Sequence, residues 1–245
     1  FKRDSYFCLN GEWDYAISKN NDLKVDFEGK ILVPYCLESK NSMVSKALKK
    51  GEFIIYHRTF KLDKAFIKDK TFIHLLGVDQ EFDLYVNGDL YGHYIPLCLP
   101  SKIDISKSIK EDNEIYVVVK DDLDLNIPYG KQVRKQKGMW YTSVSGIYYP
   151  VYLESVNEGF IEDIRIDSSL DSVTFNVLSN VKGNEELDNL ELSPENNNLS
   201  RYANKGKRCI ETPDKCQESL YQNFSCVVLL SYFLYSYFHL QLKVC

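Results

Sequence analysis

The sequence predicts an all-β protein built as a sandwich or jelly roll, and three observations carry that prediction. From Glu12 to about Val177, short runs of β-branched and aromatic residues are separated by turn residues, the pattern of packed antiparallel sheets. The aromatic residues are dominated by 18 tyrosines and 13 phenylalanines, which favour strands over long helices. Asn87-Gly88 stands between two strand-like runs, and both residue types accept the positive φ that a two-residue hairpin demands.

In chain order, strands are expected at Trp13 to Ile17, Phe53 to Leu62, Thr71 to Leu76 and Phe82 to Val86, after which Asn87-Gly88 turns the chain into Leu90 to Tyr94. Ile115, Val117 and Val119 alternate with Tyr116, Val118 and Lys120, predicting a strand buried on one face and nearly buried on the other. Another strand is expected from Ile147 to Glu154. Between them, Asp121 to Gly146 is an excursion containing Pro128-Tyr129-Gly130 and Trp140-Tyr141; loops of that length in compact domains are functional or disordered. The pattern pauses at Ser155 to Gly159 and restarts as Phe160 to Ile166 and Ser172 to Leu178. We therefore place one domain over 1–156, the start of a second over 157–190 and an unpatterned, irregular tail over 191–245.

Within the tail, residues 224–240 are largely apolar, and no acidic or basic residue lies between Glu218 and Lys243. A spanning helix needs ~20 mostly apolar residues, a requirement met only loosely because Ser225, Ser231, Ser236 and His239 interrupt the run. A misread or frameshifted 3′ end accounts for it better than a membrane anchor does, since the tail lacks the local consistency of foldable sequence. A membrane partner is expected only if that segment is genuine.

With 30 basic and 35 acidic residues, the chain lacks the basic excess that drives binding to phosphate backbones, so no nucleic-acid partner is expected. The seven cysteines, Cys8, Cys36, Cys98, Cys209, Cys216, Cys226 and Cys245, form an odd set without a close CxxC pair, which fits a reducing compartment. The chain opens at Phe1 with no basic-then-apolar leader, and the default expectation is cytoplasmic.

Six ordered segments point further. They are Leu9-Asn10-Gly11-Glu12-Trp13-Asp14-Tyr15-Ala16, Val33 to Ser39, Tyr56-His57-Arg58-Thr59-Phe60, Val86-Asn87-Gly88 with Gly92-His93, Ile103-Asp104-Ile105, and Gly138-Met139-Trp140-Tyr141-Thr142 with Ser145-Gly146-Ile147 and Val151 to Glu154. In this order they resemble the N-terminal sugar-binding domain of glycoside hydrolase family 2. The Gly-Met-Trp-Tyr wording and the Pro128 to Gln132 loop are more similar to β-galactosidases than to β-glucuronidases or β-mannosidases. The resemblance implies a jelly-roll β-sandwich followed by the start of an immunoglobulin-like β-sandwich. It also implies a non-catalytic region, because the family places both catalytic carboxyls on a (β/α)8 barrel, a fold of ~250 residues. The chain is then expected to be inactive alone, with the catalytic barrel of a full-length homologue as its partner.

The resemblance places the loop from Pro128 to Trp140 near the active-site pocket. Lys131 and Gln132, with Arg134, supply donors, and Trp140 and Tyr141 supply flat apolar faces, a mixture suited to a pyranose. Lys131, Gln132, Trp140 and Tyr141 are thus the expected substrate-binding residues, toward a β-galactoside-type carbohydrate held weakly in isolation. The plainer alternative is a solvated basic loop. In one branch of the family an acidic residue two before the Trp binds sugar and sodium; here that position is Gly138, so no metal site is expected, and no cofactor.

Elsewhere the structural readings prevail. Trp13 and Phe60 are expected in the core, Arg58 beside a carboxylate, and His93 on local backbone groups. The clusters Glu111-Asp112-Glu114 and Asp121-Asp122-Asp124 are read as solvated faces, leaving no catalytic residue. Two other functions stay open: a non-enzymatic carbohydrate-binding protein, and a degenerate frameshifted fragment.

Overall fold

The computed structural model of the chain describes residues 5–168, 173–180, 200–204 and 207–211. It separates into two compact units, Phe1–Asn157 and Glu158–Cys245. In the first, β1 (Tyr6–Cys8), β2 (Gly11–Ser18), β3 (Gly29–Val33), β4 (Phe53–Lys61) and β5 (Lys70–Leu75) lead to the two-residue β6 (Val78–Asp79). There follow β7 (Glu81–Val86), β8 (Asp89–Tyr94), β9 (Ser101–Asp104) and β10 (Asp112–Lys120). The short β11 (Gln132–Val133), β12 (Tyr141–Thr142) and β13 (Gly146–Ile147) precede β14 (Val151–Val156).

Two antiparallel sheets form the sandwich, one ordered β3-β2-β4-β10-β7-β8 and the other β1-β14-β5-β9. Their facing side chains make one core. The first sheet contributes Trp13, Ile54, Tyr56, Phe82, Leu84, Ile115, Val117 and Val119, and the second Ile73, Leu75, Ile103, Val151 and Leu153. The side-chain period of two explains the selection, since Ile115, Val117 and Val119 share one face of β10. Val118, on the opposite face, is also buried, as the sequence pattern predicts. Trp13 is buried and donates its indole N–H to the Leu9 carbonyl at 2.8 Å, while Phe60 packs on the edge of the core. At the β7–β8 hairpin, Asn87 and Gly88 have φ of 52° and 89°, the left-handed pair of the expected turn.

Three expectations need correction. The strand read over Ile147 to Glu154 is two strands, β13 and β14. Pro150 between them has no amide hydrogen for a ladder, and the amides of Tyr148 and Tyr149 turn instead to the Gly77 carbonyl at 3.1 and 3.4 Å. Arg58 is held by carbonyls rather than a carboxylate: its Nη1 donates to the Leu9 and Asn10 oxygens at 2.6 and 3.0 Å, with the guanidinium over the Trp13 ring. His93 contacts a side chain, not backbone, with Nδ1 2.8 Å from Asp83 Oδ1.

Among the described residues, the second unit carries a four-stranded antiparallel sheet, ordered β15 (Phe160–Ser168), β16 (Val173–Asn180), β18 (Lys207–Glu211) and β17 (Ser200–Asn204). β17 and β18 fall within the 191–245 stretch. Their residues alternate too little in polarity for a period to be read; β18 is defined by pairing with β16, and β17 by pairing with β18. The apolar segment 224–240 lies outside the described residues. Among the described residues, no helix is long and apolar enough to cross a membrane.

Candidate functional site

The excursion between β10 and β13 is an ordered loop. Its arms pair in parallel as β11 and β12, with Gln132 opposite Tyr141 and Val133 opposite Thr142. The Tyr141 amide donates to the Lys131 carbonyl at 2.9 Å. This pairing brings together the four residues expected to bind sugar, and it gives them different settings. Lys131 and Tyr141 are exposed, Trp140 is half-buried, and Gln132 turns inward. Met139 beside them is also exposed. Positive φ values at Gly130 and Gly138, 69° and 57°, bend the loop at either side of its basic tip.

What holds the loop is a set of polar groups beneath it. Gln132 Nε2 donates to Asp79 Oδ2 at 2.8 Å, and Gln132 Oε1 accepts the Val144 amide at 2.7 Å. The backbone N–H at Oε1 fixes which end of the side-chain amide faces Asp79. Arg134 donates to the Leu48 carbonyl and, at 2.7 Å, to the Asp121 carbonyl. Where the loop begins, Gln80 accepts the Asp124 amide at 2.9 Å and donates to the Asp124 carbonyl at 3.3 Å.

Where the loop returns, the Ser145 hydroxyl lies 2.8 Å from Glu38 Oε1 and 2.6 Å from Asp121 Oδ2. Glu38 also accepts the Ser145 amide at 2.9 Å and the Ser143 hydroxyl at 3.0 Å. Asp121, read from the sequence as part of a solvated face, is wholly buried, because Ser145 and the Leu123 amide at 3.0 Å take its oxygens. Burial pushes the Asp79 carboxyl up to about 7; the Gln132 hydrogen bond opposes the rise, and the negative Asp121 and Glu38 add to it. Burial likewise raises the Tyr148 phenol to about 12.

The sequence expectation named the loop residues Lys131, Gln132, Trp140 and Tyr141, and did not name Glu38, Asp79, Ser143 or Ser145, which join the polar groups beneath them. A signal for Ser145 is its place in the Ser145-Gly146-Ile147 match, but nothing in the order of the chain joins it to Glu38 or Asp121.

Chemically, Glu38 and Asp121 are near each other through one hydroxyl, yet they do not make a hydrolytic pair. Such a pair must reach both sides of a glycosidic bond, and Asp121 is 0% exposed. Among the described residues no group of three or more His, Cys, Asp or Glu is arranged to hold a metal ion. Beside the exposed basic residues Lys131, Arg134, Lys135 and Lys137, large apolar side chains also face solvent: Tyr141 and Met139 on this loop, Leu125 at its start, Leu97 and Leu99 between β8 and β9, and Tyr149 before β14.

The first unit is thus a two-sheet antiparallel sandwich with a long structured loop between β10 and β13. The chain belongs to glycosyl hydrolase family 2: the profile of that family's sugar binding domain matches residues 33–157. It is similar to the β-galactosidase of Thermoanaerobacter pseudethanolicus, 28% identical over 190 residues, which cover 72% of this chain and 25% of that protein. The β-galactosidase of Leuconostoc mesenteroides subsp. mesenteroides is 31% identical over 147 residues, 57% of this chain and 13% of its own length. The chain therefore spans a quarter or less of these curated relatives. Bifidobacterium dentium β-glucuronidase, solved with coumarin-3-O-glucuronide, shares the fold with a TM-score of 0.57 at 16% identity, over 73% of this chain and 37% of that one.

Proposed function

We propose that this chain is the N-terminal, non-catalytic region of a β-galactosidase-like glycosidase, and that the β11–β12 loop forms one wall of the sugar pocket in the whole enzyme. The observation that carries the reading is the pairing of Gln132 with Tyr141, which gathers Lys131, Trp140 and Tyr141 on one arm-to-arm surface while Gln132 anchors it. Exposed Tyr141 and half-buried Trp140 supply stacking faces for a pyranose, and Lys131 supplies a donor. The β-galactosidase relatives support the choice of a β-galactoside as ligand.

The first unit is then the sugar-binding domain and the second the start of an immunoglobulin-like domain. The exposed apolar residues Leu97, Leu99, Leu125 and Tyr149 suit docking of the catalytic barrel, which carries the hydrolytic carboxyls in our reading. The free thiols of Cys36 and Cys98 fit a cytoplasmic setting. In solution, methyl β-galactoside is expected to shift backbone resonances of residues 131–141 with a dissociation constant in the millimolar range or weaker. Shifts confined to other residues, or none at saturating sugar, would remove the loop from the pocket.

A further inference from the structure

Three carboxyls, Glu38 after β3, Asp79 in β6 and Asp121 after β10, lie behind the β11–β12 loop. Asp79 is 7% exposed and Asp121 fully buried, and no ion pair joins either to a cation among the described residues. Arg134 gives its guanidinium to the carbonyls of Leu48 and Asp121, not to a carboxylate. The other titratable groups sensing this cluster are Cys98 and Tyr148, which feel Asp79, and Cys36 and Tyr56, which feel Glu38. Burying several like charges without a counter-ion is unfavourable.

Hydrogens are also short in the geometry. Ser145 has one hydroxyl hydrogen, yet its oxygen is at hydrogen-bond distance from both Glu38 and Asp121. Both contacts are hydrogen bonds only if Glu38 or Asp121 carries a proton, so these two carboxyls share a proton while Asp79 stands apart from Ser145. Glu38 and Asp121 hold the returning arm at Ser143 and Ser145, whereas Asp79 touches the β11 arm by side chain, through Gln132, and Gln132 in turn holds the Val144 amide. The state of Asp79 is therefore passed through two hydrogen bonds to the returning arm of the loop.

We propose that Asp79, seated among Glu38 and Asp121, is a proton-operated latch: protonated, it holds the β11–β12 loop closed on the sandwich, and deprotonated, it favours an opened loop in which water reaches the three carboxylates. The closed loop buries the carboxyl and the open one hydrates it, so proton binding and closure are linked. The direction of the Asp79 shift agrees, burial being its largest cause. The latch rests on the proposed sugar wall only for what it controls, namely whether Lys131, Trp140 and Tyr141 are held in place.

Amide hydrogen exchange on the full chain tests this without sugar. Rates at Val144 are corrected for the intrinsic pH dependence of exchange and compared with Val117 of β10. Raising the pH from about 6 to about 8.5 should lower the relative protection of Val144 by roughly tenfold or more, the change in protonated share of a group titrating near neutrality. Asp79→Asn should keep Val144 protected at both pH values, because its amide oxygen still accepts from Gln132 and no charge forms. Gln132→Ala should leave Val144 equally unprotected at both. A wild-type protection ratio that ignores pH, or an Asp79→Asn chain that keeps the wild-type response, overturns the latch. If Asp79→Asn also loses protection at Val117, Gln132→Ala decides, and a surviving pH response at Val144 overturns it. A loop that binds β-galactoside with no pH response sinks the latch and leaves the sugar wall standing; the reverse result does the opposite.

Discussion

The Tyr56 hydroxyl occupies the space where a side chain at Gly146 would begin: it accepts the Ile147 amide at 3.1 Å, and a Cβ on Gly146 would lie 2.0 Å from its oxygen. Tyr56 is fully buried, and its phenol is held well above the ordinary value by that burial. One tyrosine from the centre of the six-stranded sheet thus fixes β13 and the end of the loop.

Gly146→Ala should therefore be strongly destabilising. Gly146 has φ of 88°, so alanine adds backbone strain to an overlap with a side chain that has no room to retreat. We expect a loss of roughly 2 to 5 kcal/mol, measured by denaturant unfolding of the full chain. Tyr56→Phe keeps the ring but strands the buried Ile147 amide, for about 1 to 3 kcal/mol.

Stability should fall as pH rises toward neutrality, and Asp79→Asn should abolish part of that fall. The Asp79 carboxyl is raised from its ordinary 3.8 to about 7 in the folded chain. The native state then binds more protons than the unfolded state across that window, so the stabilisation is complete below the ordinary value and is lost as pH rises through about 7. At pH values above this window the asparagine variant should exceed the wild type by at most about 4 kcal/mol. Thermal unfolding of both chains across the window checks the sign.

Much of this fold is legible in the sequence, for a physical reason. Ile115, Val117 and Val119 announce a strand because burial of one face imposes a period of two, and Asn87-Gly88 announces a turn because few residues adopt its φ cheaply. The strands β6, β11, β12 and β13 have two residues each, too few for any period. Their existence depends on partners far along the chain, such as Gly146 on Asp79. The site divides the same way: Trp140 and Tyr141 stand out by type in a long loop, whereas Glu38, Asp79 and Asp121 look like ordinary acidic residues until folding brings them together.

Tyr141→Ala should separate binding from stability. The ring is 65% exposed, so its removal should change stability by no more than about 0.5 kcal/mol while abolishing the resonance shifts that methyl β-galactoside causes in residues 131–141. Retained shifts in the variant would show that Tyr141 offers no face to the sugar.

Purified chain should release no nitrophenol from aryl β-galactosides, because Asp121 is closed to substrate and our reading assigns hydrolysis to a separate barrel. Turnover that survives rigorous removal of host galactosidase would contradict this.

Arg58 grips the carbonyls of Leu9 and Asn10, whereas Lys30–Asp14, Lys46–Glu28, Lys61–Asp112 and Lys70–Asp104 are ion pairs with substantial exposure. Dissolved ions screen the attraction of opposite surface charges, with a Debye length of only about 3 Å at 1 M salt, but they compete poorly with a half-buried guanidinium held by neutral oxygens. In concentrated salt the surface pairs should therefore weaken first, leaving the segment that joins β1 to β2 clamped over Trp13.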